Sequence, residues 1–345
     1  MEQRQACSTA AVPTRRRSLL SFRRNQVVSM DQQSHDHELQ EHDLFHSNVS
    51  QLLLSLLHEH NDDHLLTIPF LSKLIQAFLC CEEEFRSLLH NSLACNPSLL
   101  SRPPLDRLLP DHLDRAVKSL DVFNAVTQTL ESLRQLHRQA DIAVSALLHR
   151  PPSQLGQAQL NRAKRALTKL FTHTHPSSSF RRGCSFTNHR ITGDVTTGLA
   201  LSLQTMNSIL TFLIWTLMSA FTGTSAGPAP PLVGLQERIW EELKKKKNGG
   251  VLLELQVLEK CSRAVLNAME GCGDCCKDEM QMRDVAEKGV ELGEACQRLN
   301  VGLGMFERLL REVFHRTVKS RGELQQCLDQ SCRSSSSSAA ASFPL

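Results

Sequence analysis

Three groups of residues have types and spacings that could carry chemistry. In "CGDCC", Cys272, Cys275 and Cys276 include the C-x-x-C spacing that zinc uses, and thiolates are good zinc ligands. A structural zinc site needs four ligands, and no second C-x-x-C or H-x-x-x-H follows at finger spacing. Cys261 and Cys296 would complete a set only if their helices folded back onto the turn. Small residues in an interhelical turn are the simpler reading. The histidines His35, His37, His42, His46, His173 and His175 form the second group. His42 and His46 share a helix face, but no carboxylate–histidine constellation accompanies them. The third is "CCEEEF", residues 80–85. General acid–base work needs carboxylates in unlike environments, and three consecutive Glu on an amphipathic helix read as a wet face.

No phosphate-binding P-loop, nucleophile elbow or dinucleotide fingerprint occurs. "VGLGMF", residues 301–306, has two glycines but sits in a helical pattern with no strand before it. The expectation is therefore no catalytic residue, no metal and no cofactor.

The elements around these groups are helical. Leu dominates the apolar residues, Tyr is absent and there are two Trp, which favours helices over sheets. No period-two run and no internal repeat is found. The expected fold is all-α: an elongated multi-helix bundle of long amphipathic helices between a disordered basic N-terminus (1–37) and a Ser-rich disordered tail (331–345).

An N-terminal helical part is placed at 38–174. Its first stripe is Leu44, Phe45, Val49, Leu52, Leu53, Leu56 and Leu57. Thr67 is the expected N-cap of a second helix, which Asn96-Pro97 stops. The longest periodic segment is Asp111 to Arg150, following a Pro-bearing stretch, and Ser153 is the expected cap of a shorter helix. Residues 175–194 read as a basic loop and 223–231 as a Gly/Pro linker. The C-terminal helical part, 232–330, ends in a long helix through Val285, Leu292, Leu299, Phe306, Leu310 and Val313.

Net charge is +3, which gives nucleic-acid binding no global support. The distribution is uneven: residues 1–30 hold six Arg against one Glu, and residues 31–64 hold eight acids and no Lys or Arg. Arg23, Arg24 and Lys244, Lys245, Lys246 and Lys247 are candidate contacts for anionic lipid, at about 1 kcal/mol each near a membrane surface. Residues 1–30 lack the sustained apolar run of a secretory signal and resemble a transit peptide only loosely. The expected location is cytosol and membrane surface, with reduced cysteines.

The remaining question is an uncharged window, 195–222. Leu199 to Phe221 is long enough to span a bilayer, and Leu199, Ile209, Phe212, Ile214, Trp215 and Phe221 would face lipid. Eight residues of the segment are polar: Ser202, Gln204, Thr205, Asn207, Ser208, Thr211, Thr216 and Ser219. Inside lipid they would want partners on other helices. The cleaner stretch, Ile209 to Phe221, has the length of a buried helix. If it crosses, Arg181, Arg182 and Arg190 favour a cytosolic N-terminal side. Amphipathic helices on both sides argue instead for a core or membrane-dipping helix.

Several stretches are distinctive. "FRRNQVVSMD" (22–31), "ELQEHDLFHSNVSQLL" (38–53), "SLDVFNAVTQTLESLRQLHRQADIAVSAL" (119–147), "ILTFLIWTLMSAF" (209–221) and "LLREVFHRTVKSR" (309–321) together resemble the plant Bypass-related family, in its Roh-type branch. In the last of these, Arg311, Glu312, Val313, Phe314, His315 and Arg316 form the family-like motif. The resemblance implies a plant, non-enzymatic helical protein that partners Exo-seventy subunits of the exocyst, the vesicle-tethering complex. The alternative it implies is a single-pass membrane protein of the Bypass type, acting in root-to-shoot growth signalling. It supplies no catalytic residue, and the "CGDCC" turn has no place in it. The expected partners are proteins and a membrane surface, with no nucleic acid or small-molecule substrate.

Overall fold

The computed structural model describes residues 19–59, 65–96, 99–172, 198–222, 234–245, 252–270 and 279–340, with side chains omitted for 19–38, Cys95, Thr222, Trp240, Lys245 and 331–340. Among the described residues the elements are helices: α1 (Leu19–Glu59), α2 (Ile68–Cys95), α3 (Leu105–Leu148), α4 (Gln157–Thr172), α5 (Gly198–Thr222), α6 (Leu235–Lys245), α7 (Leu253–Glu270) and α8 (Glu279–Ala340). The fold is all-α, as the composition requires. Two short 3₁₀ turns, Leu99–Ser101 and Pro152–Gln154, precede α3 and α4.

The frame is an antiparallel pair of long helices, α3 and α8. At 44 and 62 residues they extend about 66 and 93 Å at ~1.5 Å per residue. A side chain at Gly293 of α8 would meet Val144 of α3 at 3.3 Å, whereas Arg134 of α3 pairs with Glu307 further along α8. The apolar stripe expected for α3 is the packed one: Leu113, Phe123, Val126, Leu130, Leu133, Leu136, Ala140 and Leu147 are all buried. One half of the frame carries α4 and α7, and the other carries α1, α2 and α5.

In that second half, α1 and α2 are antiparallel, linked at Glu59–Lys73 (2.5 Å), Asn48–Glu84 (3.3 Å) and Glu41–Asn91 (3.4 Å). α2 runs parallel to α8. Gly302 permits their closest approach, since a Cβ there would meet Ile68 at 3.2 Å. Thr67 caps α2 as expected, its Oγ1 accepting the Phe70 N–H at 3.2 Å. Asn96 ends the helix.

Two carboxylates from distant sequence complete this corner. Glu242 of α6 accepts the N–H groups of Leu65 and Leu66 at 2.6 and 3.3 Å, and Glu254 of α7 accepts that of Ile68 at 2.8 Å. The start of a helix leaves its first N–H groups without helical partners and concentrates positive potential, so it takes carboxylates well.

Several boundaries differ from expectation. α3 begins at Leu105, and Pro110 lies inside it. Proline there removes only one hydrogen bond near the helix start, and burial of Leu105, Leu108 and Leu109 outweighs it. Ser153 does not cap α4: it sits in a 3₁₀ turn, and α4 starts at Gln157. Leu44 is 60% exposed, because it lies a quarter-turn round from the Phe45–Val49–Leu53–Leu56 seam. The basic loop 175–194, the linker 223–231 and Cys272, Cys275 and Cys276 lie outside the described residues.

α5 occupies the core. All thirteen residues from Ile209 to Phe221 are buried, as a helix that is apolar all round must be. Phe212→Ala should therefore destabilise the protein by about 3–5 kcal/mol, whereas Leu44→Ala should stay within about 0.5 kcal/mol. Urea unfolding of the two variants checks the contrast.

Candidate functional site

The side chains singled out in the sequence fall into two built regions and several isolated places. The first region is the seam between α5 and its neighbours. Leu199, Ile209, Phe212, Ile214, Trp215 and Phe221 are each 7% exposed or less. Phe212 and Trp215 stack with ring centroids 6.1 Å apart, and Phe221 meets Phe306 of α8 at 6.0 Å. These residues pack on protein, with α1, α2 and α3 alongside.

The polar residues of α5 meet partners on the same helices. Ser202 Oγ lies 2.9 Å from His42 Nδ1, and Thr205 Oγ1 lies 3.3 Å from His46 Nδ1. His112 Nδ1 donates to Asn207 Oδ1 at 2.7 Å. Arg115 Nη1 donates to Thr211 Oγ1 at 3.2 Å while its Nε pairs with Asp111 at 2.8 Å. Thr211 and Thr216 also donate to backbone carbonyls one turn back, at 2.7 and 2.9 Å. Buried polar groups cost free energy unless they are paired in this way.

The histidine pair weighed as a metal site is thus committed to α5. Burial pulls the basicity of both His46 and His112 below the ordinary histidine value, partly opposed by Asp43 at His46 and by the Asn207 hydrogen bond at His112. No motif in the sequence singles out His112 and Arg115. Their spacing places them beside the α3 stripe, and only the register against α5 shows what they serve.

The second region joins α2 to α8 and contains the family-like motif. Val313 is fully buried, Phe314 is partly buried, and Arg311, Glu312 and His315 face solvent. Arg311 pairs with Glu307 at 3.3 Å. Arg316 reaches Glu83 at 2.5 Å, Glu82 at 3.6 Å and Glu312 at 3.7 Å. Arg86 and Lys319 both approach Glu323, at 3.6 and 3.9 Å. The "CCEEEF" glutamates therefore have separate tasks. Glu82 is buried, Glu83 meets Arg316 at the surface, and Glu84 accepts from Asn48 of α1. Burial raises the Glu82 carboxyl above its ordinary value, with Ser320 and Arg316 pulling it back down. The region is a charged lattice that fixes the register of α2 on α8.

The other candidates stay apart. Lys244 pairs with Glu241 at 3.0 Å on the exposed face of α6. The side chains of Arg23, Arg24 and Lys245 and all of Lys246 and Lys247 lie outside the described residues, as do His35, His37, His173 and His175. Among the described residues, no three His, Cys, Asp or Glu side chains gather as a metal site. Cys296 is buried and its thiol is pushed up to about 12 by burial and by the nearby Asp141 carboxylate. Cys261 is raised mainly by burial as well. Both are held as thiols, which are poor nucleophiles and poor ligands.

The family model described as Protein ROH1-like matches residues 9–194 and 185–328, which takes in both regions. The chain belongs to the ROH1-like family. It is similar to Protein ROH1A of Arabidopsis thaliana, 27% identical over 401 residues, with 90% of this chain and 94% of the relative covered. It is also similar to Protein ROH1D of the same plant, 29% identical over 383 residues, with 89% and 94% covered. No solved structure matches. In this ROH1-like chain, the α5 seam and the α2–α8 lattice contain three of the stretches that carried the resemblance.

Arg316→Ala would remove the cation that acts most strongly on the buried Glu82 and leave Arg86 as the weaker one. We expect a loss of about 1–3 kcal/mol, with part of it recovered by adding Glu82→Gln; a double-mutant cycle by urea unfolding measures this coupling. The histidines give a pH dependence. The folded-state pKa values of His46 and His112 lie below the ordinary histidine value of 6.5, so below that pH the unfolded chain binds more protons and stability falls. Stability is complete above pH 6.5 and declines as pH drops towards the folded-state values. Unfolding midpoints across this window should show that slope, and His112→Gln should flatten it.

Proposed function

We propose that this chain is a non-enzymatic helical interaction protein that partners exocyst subunits in vesicle secretion, acting from the cytosol and the membrane surface. The observation carrying this reading is membership of the ROH1-like family along most of the chain. The architecture supports it: long paired helices with one continuous core and large exposed faces suit docking to other helical proteins. The histidine and glutamate clusters that could have served chemistry are occupied in packing, which favours a binding role over an enzymatic one.

A second reading, a single-pass membrane protein in growth signalling, has one observation in its favour. Gly198–Phe221 is long and apolar enough to cross a bilayer. The core helix of a soluble protein meets the same description, and all residues from Ile209 to Phe221 are buried within the bundle. A spanning α5 would take Ser202, Asn207 and Thr211 away from His42, His112 and Arg115. The bundle reading is the one we adopt.

Tagged chain expressed in plant cells should enrich exocyst subunits over an unrelated helical bundle of similar size. Absence of that enrichment would remove the exocyst assignment. In the same cells, alkaline carbonate should release the protein from membranes; retention in the pellet would favour the spanning alternative.

A further inference from the structure

The longest stretch without an acidic residue that is also rich in cations runs from Ile142 to Gly193. It holds eight Lys or Arg and no Asp or Glu. α4 lies within it, and Arg162, Lys164, Arg165 and Lys169 are all on the exposed side of that helix. Elsewhere on the surface cations are commonly matched by carboxylates: Arg138 with Glu131, Arg298 with Glu294, Lys118 with Asp114. Among the described residues none of the four α4 cations has such a partner.

Three of them line a groove between α4 and α3. Arg162, Arg165 and Lys169 rim a cavity of about 470 Å³ whose apolar lining is Ile142, Ala158 and Ala166. The spacing of these cations, three and four residues apart, puts them on one helix face. No acidic residue lines the groove. Asp141, the last acid before it, acts on Cys296 and so lies on the α8 side of α3. The groove is thus a concave positive site with a small apolar floor.

We propose that the α3–α4 groove docks the phosphate-rich headgroups of an anionic membrane surface. Two guanidinium groups match phosphate oxygens in pairs, and Lys169 adds a point charge. Lys164 extends the positive surface beyond the groove, which suits a plane of negative charge more than a single small anion. RNA would require aromatic side chains for base stacking, and the groove lining has none. An acidic protein segment would need more apolar surface than two alanines and an isoleucine provide. The site adds a lipid contact to the reading above and does not depend on any exocyst subunit.

The test is co-sedimentation of the purified full chain with phosphatidylcholine vesicles, with and without phosphatidylinositol bisphosphate. Binding should require the anionic lipid and weaken as salt rises. Arg162→Gln, Arg165→Gln and Lys169→Gln together should lower partitioning on the order of a hundredfold, about fivefold per charge removed. Equal removal elsewhere, Arg107→Gln, Arg308→Gln and Arg321→Gln, should leave most of the binding intact. Unfolding midpoints of both triples establish that they are folded. Equal loss in the two triples, or no binding above phosphatidylcholine alone, would overturn the proposal. So would groove-dependent binding to inositol hexakisphosphate, homopolymeric RNA or a polyglutamate peptide without vesicle binding. No exocyst subunit is in the assay, so its failure leaves the partner reading standing.

Discussion

The C-terminal half of α5 has no face to offer water. Between Val195 and Gln236 the chain carries no charged side chain, and every residue from Ile209 to Phe221 is buried. A helix of this kind needs cover on all sides, and α1, α2 and α3 provide most of it. The requirement extends to its polar atoms. Ser202, Thr205, Asn207 and Thr211 would each carry a desolvation cost if left unpaired, so the position of α5 along α1 and α3 is set where His42, His46, His112 and Arg115 meet them. Parallel alignment follows, because partners advance in the same order along each pair of helices. Ser219 Oγ is buried without a partner among the described residues, and the structure gives no physical reason for it.

The same constraint reaches the far end of the sequence. α2 covers α5 on one side and packs on α8 with the other. Its N-terminus is held by Glu242 and Glu254 and its outer face by Arg316. Helices well separated in the chain thereby become one core. The charged lattice between α2 and α8 adds less through Coulomb attraction, since most of its members are solvent-exposed, than through fixing which residues face one another. Glu82 is the exception, because a buried carboxylate that loses Arg316 has no water to replace it.

On the proposed reading, function belongs to surfaces. The apparent chemistry of the sequence, paired histidines and three adjacent glutamates, is largely absorbed by internal packing. What the packing leaves outside is uneven in charge: of mixed sign and often paired along α3 and α8, and positive along α4, with no carboxylate partner among the described residues. That unevenness distinguishes faces of the bundle that share one helical architecture.

Much of this was legible in the sequence because it is local. Leu-rich periodicity dictates helices, the Thr67 cap and the Asn96 stop follow from single side chains, and the stripes of α3 and α8 announce their buried faces. The limits of the helices were less legible: Pro110 sits inside α3, Ser153 lies in a 3₁₀ turn instead of capping α4, and Leu44 faces solvent. The sequence by itself determined that α5 is uncharged and must be hidden; it left open whether lipid or protein hides it. In the tertiary structure that cover comes from protein. Register decides this, because the atoms that pair with α5's polar groups come from helices roughly 95 and 160 residues away, and a separation of that kind has no local signature.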